Sequence, residues 1–354
     1  MDVGLNSGQL ALRDSVRDVL RTECPPGVAR QAMTDSERWR TVWKTVVDLG
    51  WTELAAGGEY DRLDLAVVLE ECGAAIAPIP LLSSVGLAAG VLRAAGPGVD
   101  DVLGEIADGV VAALAIHPPG RRLPGVPTTL QDGRLRGRAV AVAGLSRAEL
   151  IVTLATSTDG PIAAVARVGD GVTVHATECT DPAQPIADVE IDSAPIATAG
   201  VDVETALATP LVASAADLVG VAAAALARSV EHAKSRQQFG KPIGAFQGIK
   251  HALADNYVAV ERARSLTYAA AVRLDDPTTT PAAGWTAAAL AKAAAGEAAV
   301  SCARTAVQVH GAIAQTWEHD IHLYLRHAWQ GATALGDSRA LYHAVGGHFA
   351  GGGA

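Results

Sequence analysis

Apolar residues recur at helical spacing over most of the first hundred positions. Leu12, Val16, Val19 and Leu20 share one face of a segment that Ser7 can cap. The run "CPPGVAR" ends it. "ERWRTVWKTVVDLGW" is periodic again, with Gly50 placed as a C-terminal stop. "RLDLAVVLEECGAAIAP" and "LSSVGLAAGVLRAAG" predict two more helices before the loop "GPGV" at Gly96. The period then changes. "VVAALAIH", "TTLQDGRLRGRAVAVAG", "ELIVTLATS", "PIAAVARV", "GVTVHATE" and "ADVEIDSAPIA" are short, rich in Val, Ile and Thr, and separated by Gly, Pro and Asp. They predict strands, and "QDGRL" a hairpin turn.

Long helices follow. Thr209-Pro210 reads as N-cap and first residue of a helix running to Arg236. A second is expected from Pro242 to Leu274, with Phe246, Ile249, Leu253, Tyr257 and Val260 on one face. A third spans Ala282 to Val309, and "TWEHDIHLYLRHAWQ" and "GDSRALYHAV" complete a bundle of antiparallel helices. The expected divisions are an all-helical unit over 1–102, a small β unit over 103–205, a helical bundle over 206–347 and a mobile tail over 348–354.

Composition narrows the class. Hydrophobic residues make up 49% of the 354 positions but aromatics only 4%, so packing relies on small side chains. A net charge of -10, with no lysine-arginine run, argues against nucleic acid and anionic membranes as partners. Cys24, Cys72, Cys179 and Cys302 lie far apart, without zinc spacing or a disulfide framework; reduced, buried thiols are expected. No metal site is expected. The N-terminus lacks a signal-peptide pattern, and the apolar run "LVGVAAAALA" from Leu218 is well short of the roughly 20 residues that span a bilayer. A cytoplasmic protein is the expectation.

The interruption "SRQQFGKPIGAFQGIKH" carries more than a helical hairpin needs. Its pattern Arg236-x-x-Phe239-Gly240-Lys241-Pro242-Ile243-x-x-Phe246-Gln247, together with Val307-Gln308-Val309-His310-Gly311, resembles the hallmark motifs of the acyl-CoA dehydrogenases. The resemblance extends over the whole chain in domain order. It implies an α+β fold with an N-terminal helical domain, a small middle β domain and a C-terminal bundle of four long helices. It also implies FAD as cofactor and α,β-desaturation of an acyl-CoA thioester, with an electron-transfer flavoprotein or another acceptor. In the family these motif residues reach the FAD of a neighbouring subunit, so Arg236, Phe239, Gln247, Gln308 and Gly311 are the candidate cofactor-binding residues. An arginine fork can grip a pyrophosphate with two parallel hydrogen bonds, and a glycine lets phosphate approach the backbone. "Thr316-Trp317-Glu318-His319-Asp320" looks like the form of this region in dehydrogenase subunits of steroid- and cholesterol-degrading bacteria. Glu318 or Asp320 there suits capping and inter-subunit packing.

The chain departs from the family where catalysis is concerned. A carboxylate base must remove a proton beside the thioester. One family position for that glutamate falls on Leu335, or on Gln330 with a gap; the other falls on Leu211. Asp337 and Asp217 lie nearby on different faces. Where the family's β domain carries Leu-Thr-Glu-Pro and a following Gly-Ser-Asp, this chain reads Ala115-Ile116-His117-Pro118-Pro119-Gly120. Ala312 and Ala314 replace expected glycines. No catalytic residue is therefore assigned. The pattern resembles the non-catalytic subunit of an α2β2 dehydrogenase of steroid side-chain β-oxidation, whose partner chain carries the glutamate and the flavin ring. Two other readings stand beside it: a self-sufficient homo-oligomer using Asp217 or Glu231 as base, and a flavin-free scaffold.

Overall fold

A computed structural model describes residues 4–58 and 60–350. Six helices come first: α1 (Ser7–Glu23), α2 (Pro26–Ala32), α3 (Trp39–Asp48), α4 (Arg62–Ala74), α5 (Ala89–Leu92) and α6 (Asp100–Ala107). Asn6, not Ser7, caps α1, in a reciprocal box with Gln9. Gly50 adopts the left-handed conformation that ends α3. Leu82–Ala88 winds as a π-helix leading into α5. The helical part runs on to Ala107, past residue 102.

One sheet follows: β1 (Ala112–Ala115), β2 (Thr128–Gln131), β3 (Arg134–Ala143), β4 (Leu150–Ser157), β5 (Gly160–Arg167), β6 (Val172–Ala176), β7 (Ile186–Ser193) and β8 (Ala197–Gly200). Its order is β6-β7-β3-β2-β4-β5-β8, and β1 pairs with β4 in parallel. The β2–β3 hairpin turns at Asp132-Gly133, both at positive φ, as the sequence predicts. β4 is buried over its first six residues, which explains why it reads as a continuous apolar run.

The C-terminal helices are α7 (Val203–Ser235), α8 (Gln247–Leu274), α9 (Pro281–His310), α10 (Ile321–Thr333) and α11 (Ser338–Ala350). α7 starts earlier than Thr209-Pro210: the Asp202 carboxylate accepts from the Thr205 N–H at 2.8 Å, and Pro210 lies inside the helix. The cap and the burial of α7 from Ala206 onward carry the helix through Pro210, which removes one backbone hydrogen bond. α7 is long and apolar enough to cross a membrane by length and composition, unlike the short run the sequence suggested, but 83% of that stretch is buried within the chain. α8 starts at Gln247 rather than Pro242, because Lys241-Pro242 (β10) pairs with Gln237-Gln238 (β9). Its buried face is Asn256, Val260, Ala263, Thr267 and Tyr268, and Tyr257 is exposed instead of sharing it. Residues 348–350, expected in the tail, continue α11; 351–354 lie outside the described residues. Cys24, Cys72 and Cys302 are buried free thiols, and Cys179 is half-buried.

Two features lock the layers together. α4 crosses α7 at backbone contact: a Cβ on Gly220 would sit 1.8 Å from the Glu70 carbonyl oxygen, and one on Gly73 would sit 2.0 Å from that of Asp217. Second, His327 on α10 bridges two buried carboxylates, Asp181 before β7 (Nδ1, 3.1 Å) and Asp217 on α7 (Nε2, 2.8 Å). Burial opposes its charge, but Asp217 and Asp181 outweigh that and push the imidazolium up to about 10.

Two outcomes are expected. Gly220→Ala should lower stability by about 3 kcal/mol in denaturant unfolding, whereas Gly104→Ala, with open space around it, should be near neutral; equal effects would refute the contact. His327, raised in the folded state, stabilises fully below its unfolded pKa of about 6.5, and that contribution is lost as pH climbs toward 10. The melting temperature should therefore fall between pH 7 and 10 more steeply than in His327→Gln, and parallel curves would contradict the bridge.

Candidate functional site

The corner between α7 and α8 is a two-residue hairpin loop. Phe239 (φ 52°) and Gly240 (φ 77°) both adopt positive φ, the signature of a type I′ turn. Glycine takes this geometry freely, whereas a phenylalanine is strained by it. Phe239 is nonetheless 90% exposed, its ring meeting that of Phe246 edge-on at 6.0 Å. Strain combined with exposure marks a residue that the isolated fold does not use.

Arg236 ends α7, with its N–H on the His232 carbonyl and its own carbonyl accepting from Ile243. Among the described residues its guanidinium has no hydrogen-bond or ion-pair partner and is exposed. Gln247 opens α8 and is also exposed. At the end of α9, Gln308 is exposed and Gly311 has φ 71° with nothing within 4 Å of a would-be Cβ. The Gly311 N–H closes the last turn of α9 onto Val307, so this glycine offers a bare backbone surface rather than a free donor. His232 and His310 stack at 4.2 Å and bring the ends of α7 and α9 side by side. His319 joins them at 5.0 Å from His310. Burial and the His310 ring hold His232 below its usual pKa. All five candidate cofactor residues thus lie exposed at one end of the bundle, and the histidine trio beside them was not foreseen.

Asp320 does not cap α10 through its side chain. It pairs with Arg30 at 2.5 Å, and Arg30 also donates to the Glu318 carbonyl. The segment is tied to α2 of its own chain.

Two of the positions expected for a catalytic carboxylate lie at a different place. Gln330, Leu335 and Asp217 line one cavity of about 90 Å³, together with Ile79, Leu87 and His327. Ligand sites run to roughly 300–1,000 Å³. Gln330 is committed structurally, accepting from the Asp181 N–H at 3.0 Å and donating to the Gln184 carbonyl at 2.6 Å. Leu335 is buried at φ 57°, and Leu211 is buried in α7. Asp217 is held by His327, Glu231 pairs with Lys234 on the surface, and Asp337 accepts from the Ala340 N–H at the start of α11. Lys292, wholly buried, donates to the carbonyls of Ala332 and Gly336 and so braces the turn carrying Leu335; burial pushes its pKa down to about 7. The isolated aspartate in "AADLVG" was the one sequence signal that a buried cation must lie opposite; its partner, His327, is 110 residues away. Among the described residues no cluster of three or more His, Cys, Asp or Glu could hold a metal ion.

Comparison with known proteins places this architecture. The family description "Acyl-CoA dehydrogenase, N-terminal domain" matches residues 6–97, and "Acyl-CoA dehydrogenase, C-terminal domain" matches 202–342. The chain is 32% identical over 340 residues to the acyl-CoA dehydrogenase IpdE2 of Mycobacterium tuberculosis, covering 93% of each protein. It superimposes on a chain of the ChsE4–ChsE5 complex from Mycobacterium tuberculosis with a TM-score of 0.87, at 25% identity over 100% of both chains. A variant of the Tcur3481–Tcur3483 steroid ACAD gives a TM-score of 0.88, at 26% identity over 98% of both. On fold, sequence and family match together, the chain belongs to the acyl-CoA dehydrogenases.

Proposed function

We propose that this chain is the non-catalytic subunit of a FAD-dependent acyl-CoA dehydrogenase heteromer, in which a second dehydrogenase chain carries the glutamate base and the flavin ring. The observation that carries the reading is the contrast between the two places just described. The corner holds an unpaired guanidinium, a strained exposed ring and a side-chain-free glycine. The cavity holds no unpaired carboxylate and little room.

FAD supplies a two-electron acceptor to the reaction, and this chain would contribute only to holding it. Arg236 would take two diphosphate oxygens as a fork. Gly311 would let the phosphates approach the backbone, Phe239 would pack near the adenine, and Gln308 and Gln247 would offer amide hydrogen bonds. Such a division of labour gives an α2β2 assembly with two flavins. The heteromeric names among the similar structures, one of them a steroid ACAD, support a partner chain and a steroid side-chain CoA thioester as substrate. An electron-transfer flavoprotein or equivalent would reoxidise the complex. A base drawn from Asp217 is disfavoured by its bridge to His327, and one drawn from Glu231 by its place on the surface.

The test is co-expression with a glutamate-bearing partner. The wild-type complex should carry two flavins per tetramer, and Arg236→Ala should weaken flavin binding roughly 10–100-fold, as loss of a charge-assisted pair does. Unchanged flavin content in that variant would point to a flavin-free scaffold, and acyl-CoA-dependent flavin reduction by the chain alone would overturn the non-catalytic assignment.

A further inference from the structure

Beside the corner, three imidazoles meet where α7, α9 and the connection to α10 converge. His232, in the last turn of α7, stacks at 4.2 Å on His310, the last residue of α9. His319 stands 5.0 Å from His310. The three line one cleft with Arg228, Glu231 and Asp320, and the proposed flavin contacts use none of them.

Backbone hydrogen bonds fix two of the tautomers. His310 Nδ1 lies 2.8 Å from the Ala306 carbonyl, so it carries a proton and donates it. His319 Nδ1 accepts from the Ile321 N–H at 3.2 Å, at the start of α10. A nitrogen that accepts there carries no proton, so His319 is uncharged in this arrangement. Protonating it would set two N–H groups against each other. Protonating His232 and His310 together would stack two cations. The connection has little core of its own: of residues 311–320 only Ala314 is buried. Its far end is tied through Asp320 to Arg30 and, at 3.9 Å, to Arg228.

The charges around the trio disfavour added protons. Arg228 and Arg236 of α7 and His322 of α10 face it on the basic side. Of the carboxylates, Glu231 pairs with Lys234, Asp320 pairs with Arg30, and Glu318 is exposed. Burial first, and then His310, hold both His232 and His319 below the usual imidazole value. A base depressed in this way stabilises the fold above its unfolded pKa of about 6.5, and that contribution is lost as pH falls through the folded value.

We propose that the His232–His310–His319 trio is a proton-operated latch: uncharged, it clamps the 311–320 connection against the ends of α7 and α9, and in acid it lets go. Gly311 begins the connection, so the corner keeps its shape only while the latch is shut. The latch consists of contacts within this chain and does not rest on the flavin reading.

The test is amide hydrogen exchange of the full chain at about pH 7.5 and about pH 5.5, corrected for the intrinsic pH dependence. Residues 311–320 should exchange roughly 10-fold faster at the lower pH, while β4 stays protected at both. The double variant His232→Phe/His319→Asn keeps a stacking ring and an acceptor oxygen but offers no nitrogen to protonate at either position, so the acid response should vanish. Equal protection of the wild-type connection at both pH values would overturn the latch, as would an acid response that persists in the double variant. If the double variant is loose at both pH values, imidazole nitrogen NMR of the wild-type chain decides. Protonation of His319 Nδ1 at the pH of release supports the latch, and release while that nitrogen stays bare overturns it.

Discussion

The backbone-to-backbone crossing of α4 and α7 is the constraint from which the rest follows. With only hydrogen at Gly73 and Gly220, each helix rests against a carbonyl of the other. Alanines extend the same economy of bulk along α9, where Ala291, Ala295, Ala298 and Ala299 are fully buried. Small side chains give little apolar area each, but they bring helices close and raise the density of dispersion contacts. That closeness keeps α7 one continuous helix through an internal proline, and it carries Arg236 to the end of the bundle beside the end of α9.

The same packing explains why the cavity is small. Asp217 faces it from the crossing, and a buried carboxylate needs a partner. His327 supplies one and recruits Asp181 as well, so a charged triad ties α7, α10 and the strand layer together. Breaking such a bridge from one side costs about 3–5 kcal/mol, because it strands the remaining charges. Structural use of this kind competes with catalytic use: a carboxylate fixed on an imidazolium is poorly placed to accept a proton from a substrate.

Much of the architecture was legible in the chain because local rules and tertiary packing agreed. The strands alternated or ran apolar between turn residues, and Asp132-Gly133 turned as expected. The helix starts were less legible. Thr209-Pro210 has the chemistry of a start, yet Asp202 caps α7 and the burial of Ala206, Leu207 and Ala208 favours the longer helix. Ser7 lost to Asn6 because the Gln9 side chain completes a reciprocal cap only with the latter. The corner motif was readable as a motif, but its strain at Phe239 was not, since φ follows from the β9–β10 pairing. The Asp181–His327–Asp217 bridge and the bracing by Lys292 depend on long-range contacts that no local pattern encodes.

The turn at Phe239 bears on how such a chain fares in a cell. A phenyl ring held out in water by a strained backbone, close in sequence to an unneutralised arginine, is a sticky corner. Copies made in excess of whatever covers it are the ones most prone to clump. Balanced synthesis with a covering chain would therefore serve solubility as much as chemistry.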